Sequence, residues 1–256
     1  MTCWSRDERR RFLRSAMSSA STAARPLAVV VFSGGLDSTV LAAHYRETHR
    51  LLLISFDYGQ RHGRRELAAA REVAEHLRAE HHTITVTGLA PLLTGCSLTD
   101  RTQDVPTLVP TEPALRSITI PNRNAFIADM AVAIAMARRA EVVALGVHRT
   151  HQGYPMPDAA PDFFAAYREA MRLSCRGFHL PRIETPFLDM LKEDVVAYGR
   201  RLNAPMDKSW TCYLDGPVQC GICLACLTRR QAFSLSGVPD PTVYEGSNET
   251  SDLRPA

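Results

Sequence analysis

A strand-like run that breaks at two adjacent glycines and resumes as a helix constrains this chain most. Residues 27–32 are apolar and mostly β-branched, which is typical of a fully buried parallel strand. Gly34 and Gly35 then allow a sharp turn and the close approach of a ligand. Helix-forming apolar residues follow from Thr39 to Tyr45. Such a turn exposes backbone N–H groups at a helix N-terminus, and these groups favour binding of an anion such as phosphate.

The polar side chains of the turn suit the same purpose. Ser33, Asp37 and Ser38 are predicted to accept hydrogen bonds from the N–H groups where the helix begins. The spacing lacks the lysine of the G-x-x-x-x-G-K-[ST] loop, and it differs from the dinucleotide pattern G-x-G-x-x-G. Ser-Gly-Gly-Leu-Asp-Ser instead resembles the pyrophosphate loop of ATP pyrophosphatases, which split ATP into AMP and pyrophosphate. The alternative is an ordinary β–α turn rich in small residues.

Strand-like and helix-like segments alternate along the chain. The strand-like runs lie at 27–32, 51–56, 82–86, 141–147 and 179–185. The segments with helical character lie at 39–45, 64–80, 125–139, 162–175 and, with Asp189 as its cap, 189–202. This alternation predicts an α/β fold, a doubly wound parallel sheet. Residues 87–119 interrupt it with prolines and polar residues, which indicates either a lid over the nucleotide site or a disordered surface insertion.

Composition narrows the function classes. The formal net charge of +3 is too small to indicate nucleic-acid binding, and no apolar run is long enough for a membrane span. Residues 1–26 are rich in arginine but lack the apolar core of a secretory signal. The 256 residues allow one large domain or a domain plus a small module. The predicted divisions are an N-terminal extension 1–26, an α/β domain 27–203, a metal-binding module 204–246 and a loose tail 247–256.

Four of the seven cysteines are concentrated in one short segment, with the spacing C-x7-C-x2-C-x2-C. They are Cys212, Cys220, Cys223 and Cys226. A disulfide framework is unusual in a chain with this much apolar sequence, so we predict a cytoplasmic protein with a metal site. A structural Zn²⁺ bound by four sulfurs is the preferred interpretation. An iron–sulfur cluster is the first alternative, and a redox pair of Cys223 and Cys226 is the second.

Several motifs occur in a characteristic order. They are FSGGLDS at 32–38, FDYGQRH at 56–62, PNRN at 121–124, GYP at 153–155, TCY at 211–213 and CGICLAC at 220–226. From Leu27 to Asp240 the chain resembles the 7-cyano-7-deazaguanine synthase family of ATP pyrophosphatases. The resemblance implies a fold like that of the adenine nucleotide alpha hydrolases (HUP fold) and a zinc-containing homodimer. It also implies conversion of 7-carboxy-7-deazaguanine, ammonia and ATP into a nitrile through an amide.

The implied reaction follows ordinary carbonyl chemistry. A carboxylate is a poor electrophile because its leaving group would be oxide. Adenylation turns that oxygen into a good leaving group, and ammonia can then displace it; the amide oxygen can be activated in the same way. Both steps need cations or N–H groups beside the developing charge and Mg²⁺ on the phosphates.

The resemblance assigns roles to individual residues. ATP would be bound by the loop residues Phe32, Ser33, Gly34, Gly35, Leu36, Asp37 and Ser38. Asp37 would also orient Mg²⁺, while Arg123 and Lys192 would bind phosphate or carboxylate oxygens. The alternatives are a helix-capping salt bridge for Arg123 and a solvated first-turn position for Lys192. The implied substrate-contacting residues are Tyr58, Gln60, His62, Asn124, Tyr154 and Asp158.

One segment departs from the family pattern. After Gly-Tyr-Pro the family usually reads Asp-Cys-Arg, whereas this chain reads Met156-Pro157-Asp158. An acid that usually precedes the tyrosine is also missing, and Asp158 is its candidate replacement. A diverged paralogue, which would pass the adenylated acid to another amine on a protein or nucleic acid, therefore stays open.

Two further functions are weaker. A tRNA-thiolation enzyme would need a strongly basic face and a catalytic cysteine pair, and neither is evident in the sequence. A non-catalytic nucleotide-sensing or zinc-dependent interaction module is disfavoured because an intact phosphate loop has little use without phosphate.

Overall fold

The computed structural model describes residues 25–107, 111–151, 153 and 156–245. Within these ranges the strands form a five-stranded sheet with the order β3-β2-β1-β4-β5. The strands are β1 (Leu27–Val31), β2 (Arg50–Asp57), β3 (Glu80–Thr85), β4 (Val142–Ala144) and β5 (Arg182–Glu184). Every neighbouring pair is parallel, so the predicted parallel sheet is confirmed.

Helices connect the strands. The α-helices of the described ranges are α1 (Leu36–Arg46), α2 (Gly63–Leu77), α3 (Glu112–Ser117), α4 (Arg123–Ala137), α5 (Pro161–Ser174), α6 (Lys192–Arg201) and α7 (Leu224–Ser236). Short 3₁₀ helices lie at Thr87–Leu92, Pro157–Ala159 and Met206–Lys208. None of these helices is long and apolar enough to cross a membrane.

The predicted start of α6 at Asp189 is wrong. The helix begins three residues later, because residues 185–190 form turns in which Leu188 N–H donates to Thr185 O at 3.1 Å and Met190 N–H to Phe187 O at 2.9 Å. The capping acid lies inside the helix, where the carboxylate of Asp194 accepts a hydrogen bond from the Leu191 N–H at 2.9 Å.

Both faces of the sheet are covered, as a doubly wound fold requires. Along β1, Ala28 and Val30 belong to a core shared with α1, α2, α6 and α7. Leu27 and Val29 point to the opposite core, which contains α4 and α5. This alternation follows from the two-residue period of a strand, and burial on both faces explains why the strand has no polar residue.

The strand order fixes the place where a ligand can bind. Strand β1 lies between β2 and β4, and the chain proceeds outward through β2 and β3 on one side and through β4 and β5 on the other. In open α/β sheets a crevice forms where the order reverses, at the carboxyl ends of the strands. The loop after β1 and the segment after β4 therefore form opposite sides of one crevice.

The segment between β3 and α4 is part of the fold. Cys96, Ser97 and Leu98 are buried, and Leu98 O accepts a hydrogen bond from the Arg61 N–H at 2.7 Å. Thr107 forms an isolated antiparallel bridge with Cys223. The described residues of this segment thus connect the sheet domain to the segment that contains the four cysteines. A disordered surface insertion would not make such contacts. Closure as a lid stays a prediction.

The C-terminal segment shares the core of the sheet domain. Ala232 and Phe233 of α7 lie in the same cluster as Val40 of α1 and Val195 of α6. Apolar packing therefore continues across residue 204, where the sequence predicts a domain boundary. That boundary stays a prediction.

A buried arginine stabilises the segment that precedes Cys212, the first cysteine of the four-cysteine cluster. Arg229 of α7 has no exposed surface. Its guanidinium donates hydrogen bonds of 2.7–3.0 Å to the Met206 carbonyl and to the hydroxyls of Ser209, Thr211 and Thr242. A buried charge needs this many partners, so the 206–211 segment is held in one conformation.

We predict that Gly34→Ala destabilises the protein by about 2 kcal/mol or more. Gly34 has φ +78°, and a Cβ there would lie 2.5 Å from Ala70 N and 2.7 Å from Glu66 O. Urea denaturation measures the loss of stability. Gly88→Ala is the matched control, because a Cβ at that position meets nothing within 4 Å. Equal stability of the two variants would contradict the close packing of the loop on α2.

Candidate active site

The turn between β1 and α1 forms the predicted anion-binding loop. Ser33 Oγ accepts a hydrogen bond from the Gly35 N–H at 3.1 Å, and Ser38 Oγ donates to Gly35 O at 3.1 Å. The two serine hydroxyls also lie 3.2 Å apart. The serines therefore shape the loop itself.

One part of the capping prediction is wrong. Among the described residues no side chain caps α1, and the Asp37 carboxylate bonds elsewhere. The physical reason is that Gly35 occupies the cap position and has no side chain. Within the described part of the chain the N–H groups of the first turn of α1 consequently have no side-chain partner, which suits them to a phosphate.

Asp37 and Lys192 form an ion pair at the mouth of this loop. Lys192 Nζ lies 2.7 Å from Asp37 Oδ2, and His148 Nε2 lies 3.6 Å from the same oxygen. Only 13% of the Lys192 side chain is exposed, so the lysine does not occupy the solvated position considered as its alternative. The pair joins the first turn of α1 to the first residue of α6.

The surroundings of Asp37 keep it ionised. Burial raises the pKa of this carboxyl, but the Lys192 ammonium and His148 more than offset burial and hold the pKa well below its ordinary value. Its other oxygen, Oδ1, is buried and has no hydrogen-bond partner in the described part of the chain. An ionised carboxylate with one unpartnered oxygen fits a hard cation such as Mg²⁺.

Arg123 is a second cation in the crevice. Burial lowers the pKa of its guanidinium, but the neighbouring Tyr58, Tyr213 and Glu66 raise it above the ordinary value. Among the described residues no carboxylate oxygen lies within 4.0 Å of Arg123, so the helix-capping salt bridge is not formed. A cation without a carboxylate partner in a polar cavity is suited to an anionic ligand.

Two adjoining cavities meet at the loop. The inner cavity, about 340 Å³, lies at the ends of β1, β2 and β4, against Phe32, Phe56 and Leu145. The outer cavity, about 850 Å³, extends past Leu98 to α7. The two share a polar wall that includes Ser33, Asp37, Glu66, Arg123, His148, Lys192 and Tyr213. The structure therefore brings Asp37, Arg123 and Lys192, which the sequence analysis predicts as the catalytic residues, to one boundary.

Three of the predicted substrate-contacting residues line these cavities. Tyr58 and Asn124 line the inner cavity, and His62 lines the outer one. His62 is buried beside the ring of Tyr213, at 5.7 Å between centroids. Burial lowers the pKa of His62, although Glu66 opposes this effect, so the imidazole is held in its neutral form near neutral pH.

The other three predicted contacts differ. Tyr154 lies outside the described residues. Gln60 is absent from both cavity walls, and its amide bonds to Tyr58 N, Phe56 O and Glu66 Oε2. Asp158 is also absent from both walls. Substrate contact by these residues stays a prediction.

Asp158 instead stabilises the start of α4. It is buried, and its carboxylate accepts a hydrogen bond from the Asn124 N–H at 2.8 Å. Acidic groups are favourable at a helix N-terminus. Because Arg123 is the first residue of that helix, the departure from the family pattern at 156–158 contributes to the position of this cation.

The sequence analysis assigned no role to three residues that form the site. His148 follows β4, at the carboxyl end of a strand, where open α/β sheets bind ligands, and that position is the signal that could have found it. Glu66 lies among the charged residues of α2, where no pattern distinguishes it. Trp210 contributes through its backbone, because its N–H donates to Gly34 O at 2.9 Å. A backbone contact of this kind leaves no signal in sequence.

The four cysteines converge as predicted. All four Sγ atoms lie within 4.8 Å of one another, and all four residues are buried. Backbone N–H groups of Leu214 and Cys220 donate to Cys212 Sγ at 3.3 and 3.4 Å. Hydrogen bonds to sulfur favour the thiolate, which is the form that binds a metal. The cluster is therefore suited to a metal ion.

The segment that contains the four cysteines stabilises the phosphate loop, which is the turn between β1 and α1. Besides the bond from its backbone N–H to Gly34 O, Trp210 donates through Nε1 to Cys212 O at 2.9 Å. Arg65 of α2 lies over the Trp210 ring and donates to Gly216 O at 2.7 Å. One residue, Trp210, thus connects the cysteine cluster, α2 and the loop.

We predict that Lys192→Met raises the pKa of Asp37, because burial then acts without the neighbouring ammonium. In the wild type the folded-state pKa lies below the unfolded value of about 3.9. Ionised Asp37 therefore contributes stability above that pH, and the contribution is lost as the pH falls through the folded-state pKa. The variant should be less stable by about 1.4 kcal/mol or more at pH 7, and the difference should vanish at low pH.

Urea denaturation of the wild type and of Lys192→Met, from pH 7 down to low pH, measures the difference in stability. Lys208→Met is the matched control, because Lys208 Nζ binds the exposed Glu72 carboxylate at 2.8 Å. An exposed pair contributes about 1 kcal/mol or less. A loss for Lys192→Met that persists unchanged at low pH would contradict the proposed electrostatics.

Comparison with known proteins gives the family. The family profile described as queuosine biosynthesis protein QueC matches residues 27–237. The 7-cyano-7-deazaguanine synthase of Rhizobium johnstonii is 38% identical over 218 residues, which cover 85% of this chain and 91% of the relative. That of Paracoccus denitrificans is 40% identical over 221 residues, covering 86% and 94%.

The likeness to one solved structure is weaker. The U34-tRNA thiolase NcsA from Methanococcus maripaludis, with its [4Fe-4S] cluster, is 13% identical with a TM-score of 0.44, and the alignment covers 90% of this chain and 72% of NcsA. A likeness at that level carries no weight for function. The family profile and the curated relatives decide the matter: the chain belongs to the 7-cyano-7-deazaguanine synthase family.

Proposed function

We propose that this enzyme converts 7-carboxy-7-deazaguanine and ammonia into 7-cyano-7-deazaguanine at the expense of ATP. The observation that carries the proposal is the shared wall of the two cavities. There the uncapped N-terminus of α1, the Asp37–Lys192 pair and Arg123 face the same space. A site of this kind suits two anionic reactants that must meet, a nucleoside triphosphate and a carboxylate.

The proposed reaction adenylates the substrate twice. A carboxylate oxygen attacks the α-phosphorus and pyrophosphate leaves; ammonia then attacks the acyl carbon and AMP leaves, which gives the amide. The amide oxygen attacks a second ATP in the same way. Loss of AMP and of the two amide protons then gives the nitrile.

The chain's own groups would stabilise the charge that develops. The free N–H groups of the loop hold the pyrophosphate, and Arg123 and Lys192 bind phosphate or carboxylate oxygens. Asp37 holds Lys192 in place and offers Oδ1 to Mg²⁺, which neutralises phosphate charge when bound. Deprotonation of ammonium and of the amide is assigned to no residue.

We test this function by mass spectrometry of a reaction that contains the purified protein, 7-carboxy-7-deazaguanine, ATP, Mg²⁺ and ammonium. Formation of the nitrile together with AMP is expected. Arg123→Met should lower kcat/KM by about 100-fold, the usual cost of one lost stabilising donor. Arg116→Met is the control, because that arginine makes an exposed ion pair with Glu112. Absence of AMP from folded, metal-loaded protein would refute the proposal.

The diverged paralogue is the second candidate function, and the changed residues 156–158 are its support. AMP without nitrile, accompanied by an adduct on another amine, would favour it in the same experiment. The predicted homodimer and cytoplasmic location stay predictions.

We propose a structural Zn²⁺ as the metal of the four-cysteine cluster. In a tetrahedral zinc site with Zn–S bonds of about 2.3 Å, the sulfurs lie about 3.8 Å apart. The distances from Cys223 Sγ to Cys212 Sγ and from Cys220 Sγ to Cys226 Sγ are both 3.9 Å. In an iron–sulfur cluster the four thiolates are divided among two or more irons, and thiolates on different irons lie farther apart than the 4.8 Å within which all four sulfurs lie here. The spacing therefore supports one small ion.

Elemental analysis tests the metal. We expect zinc, at one ion per chain, in the purified wild type. Cys226→Ser should bind well below one ion and unfold at lower urea concentration, because a structural zinc contributes folding free energy. Cys175→Ser, outside the cluster, should keep its zinc. Iron in place of zinc would overturn the assignment.

A further inference from the structure

Glu66 is a carboxylate in a site otherwise suited to anions. It lies in the first turn of α2, and only 17% of its side chain is exposed. It lines both cavities, together with Arg123 and Lys192. A carboxylate in this position repels the phosphates and the acid that the site is proposed to bind. A bound ligand that directs hydrogen-bond donors at this carboxylate would offset the repulsion.

The orientation of Glu66 is fixed by Gln60. The Gln60 amide donates to Glu66 Oε2 at 2.9 Å and to Phe56 O at 3.0 Å, and it accepts from the Tyr58 N–H at 3.0 Å. Gln60 is buried, and these bonds hold its amide on both sides. A carboxylate held by a rigid second residue is preorganised for a directed ligand.

Glu66 forms no direct ion pair with a lysine or arginine of the described residues, although Arg123 is near enough for Glu66 to raise its pKa. Among the described residues, no lysine or arginine nitrogen lies within 4.0 Å of its carboxylate oxygens. Its ion-pair contact is His62, whose Nε2 lies 3.7 Å away. That imidazole is held neutral by burial, as described above, and so provides little compensation. The acceptor capacity of Glu66 is thus available to a ligand.

We propose that Glu66 binds the N1–H and 2-amino groups of the deazapurine, with Gln60 as its positioning residue. This inference rests on the proposed function. Of the three reactants, ATP brings mainly negative charge and ammonia has no fixed pair of donors. The 2-aminopyrimidinone edge of the deazapurine carries two parallel N–H groups. A carboxylate accepts such a pair in two hydrogen bonds at once, and bonds to an ionised acceptor are the strong ones.

A pair of substrates and a pair of variants test the assignment. The substrates are 7-carboxy-7-deazaguanine and its analogue without the 2-amino group, 7-carboxy-7-deazahypoxanthine. Wild-type enzyme should prefer the first by about 100-fold or more in kcat/KM, because the analogue leaves a buried acceptor unpaired. In Glu66→Gln, which turns one acceptor into a donor, the preference should fall to about tenfold or less. The affinity for ATP should not change.

The control variant is Glu72→Gln, which removes an exposed carboxylate from the same helix and should keep the wild-type preference. The ratio between two substrates does not depend on the folded fraction, so partial unfolding cannot imitate the effect. An unchanged ratio in Glu66→Gln would overturn the inference. An equal loss with both substrates, with a raised KM for ammonium, would also overturn it and place the ammonium at Glu66.

Equilibrium binding of the two deazapurines, measured without ATP, separates this inference from the proposed function. If the wild type forms no AMP with either compound, the proposed function fails. A binding preference that is lost in Glu66→Gln supports the assignment of Glu66 whether or not turnover occurs. Equal binding of both compounds to the wild type would overturn it.

Discussion

The contact between Gly34 and the backbone of α2 is the constraint on which the site depends. A side chain at Gly34 would overlap the backbone of Glu66 and Ala70, so the loop can approach α2 only through a glycine. That approach places Glu66 beside the phosphate loop. Gly35 has a different role, with an ordinary φ of −74°, and it leaves the start of α1 without a capping side chain. The two neighbouring glycines thus meet two separate requirements, close packing and an open helix terminus.

The charges of the crevice form a preorganised set. Asp37 holds Lys192, and Glu66 lies near Arg123 without forming an ion pair with it. Lys192 is therefore fixed before a ligand arrives, which lowers the reorganisation needed during the reaction. The two carboxylates differ in what remains open to a ligand. One oxygen of Asp37 is buried and has no hydrogen-bond partner among the described residues. The Glu66 carboxylate is held in place by the Gln60 amide and faces the cavities.

Much of the fold could be predicted because burial leaves a pattern in sequence. Parallel strands that are covered on both faces appear as continuous apolar runs. The four cysteines are close enough in sequence to indicate a shared site. The start of α6 was mispredicted because local turns within 185–190 compete with a helix that Asp189 could have capped. The periodicity of apolar residues indicates which positions are buried. It contains little information about which of two competing local hydrogen-bonding patterns forms.

The site was predictable only in part, for a related reason. Motifs pointed to Asp37, Arg123 and Lys192, but the hydrogen bond that joins Asp37 to Lys192 spans 155 positions. Gln60 and Asp158 were expected at the substrate, whereas their described bonds are to protein groups. A polar residue near a strand end can contact a ligand or support a residue that does, and sequence does not distinguish the two.

The bond from Trp210 to Gly34 also has a consequence for the order of synthesis. The phosphate loop follows the first strand of the sheet, yet the segment that stabilises it through Trp210 is translated much later. That segment is itself held by Arg229, and α7 completes the core through Ala232 and Phe233. Although domains usually fold as units during translation, the core of this one is completed only after α7 has been translated. A nascent or prematurely terminated chain would therefore expose an unfinished apolar core and an unbraced loop, which makes it a target for chaperones and proteases before it can bind nucleotide.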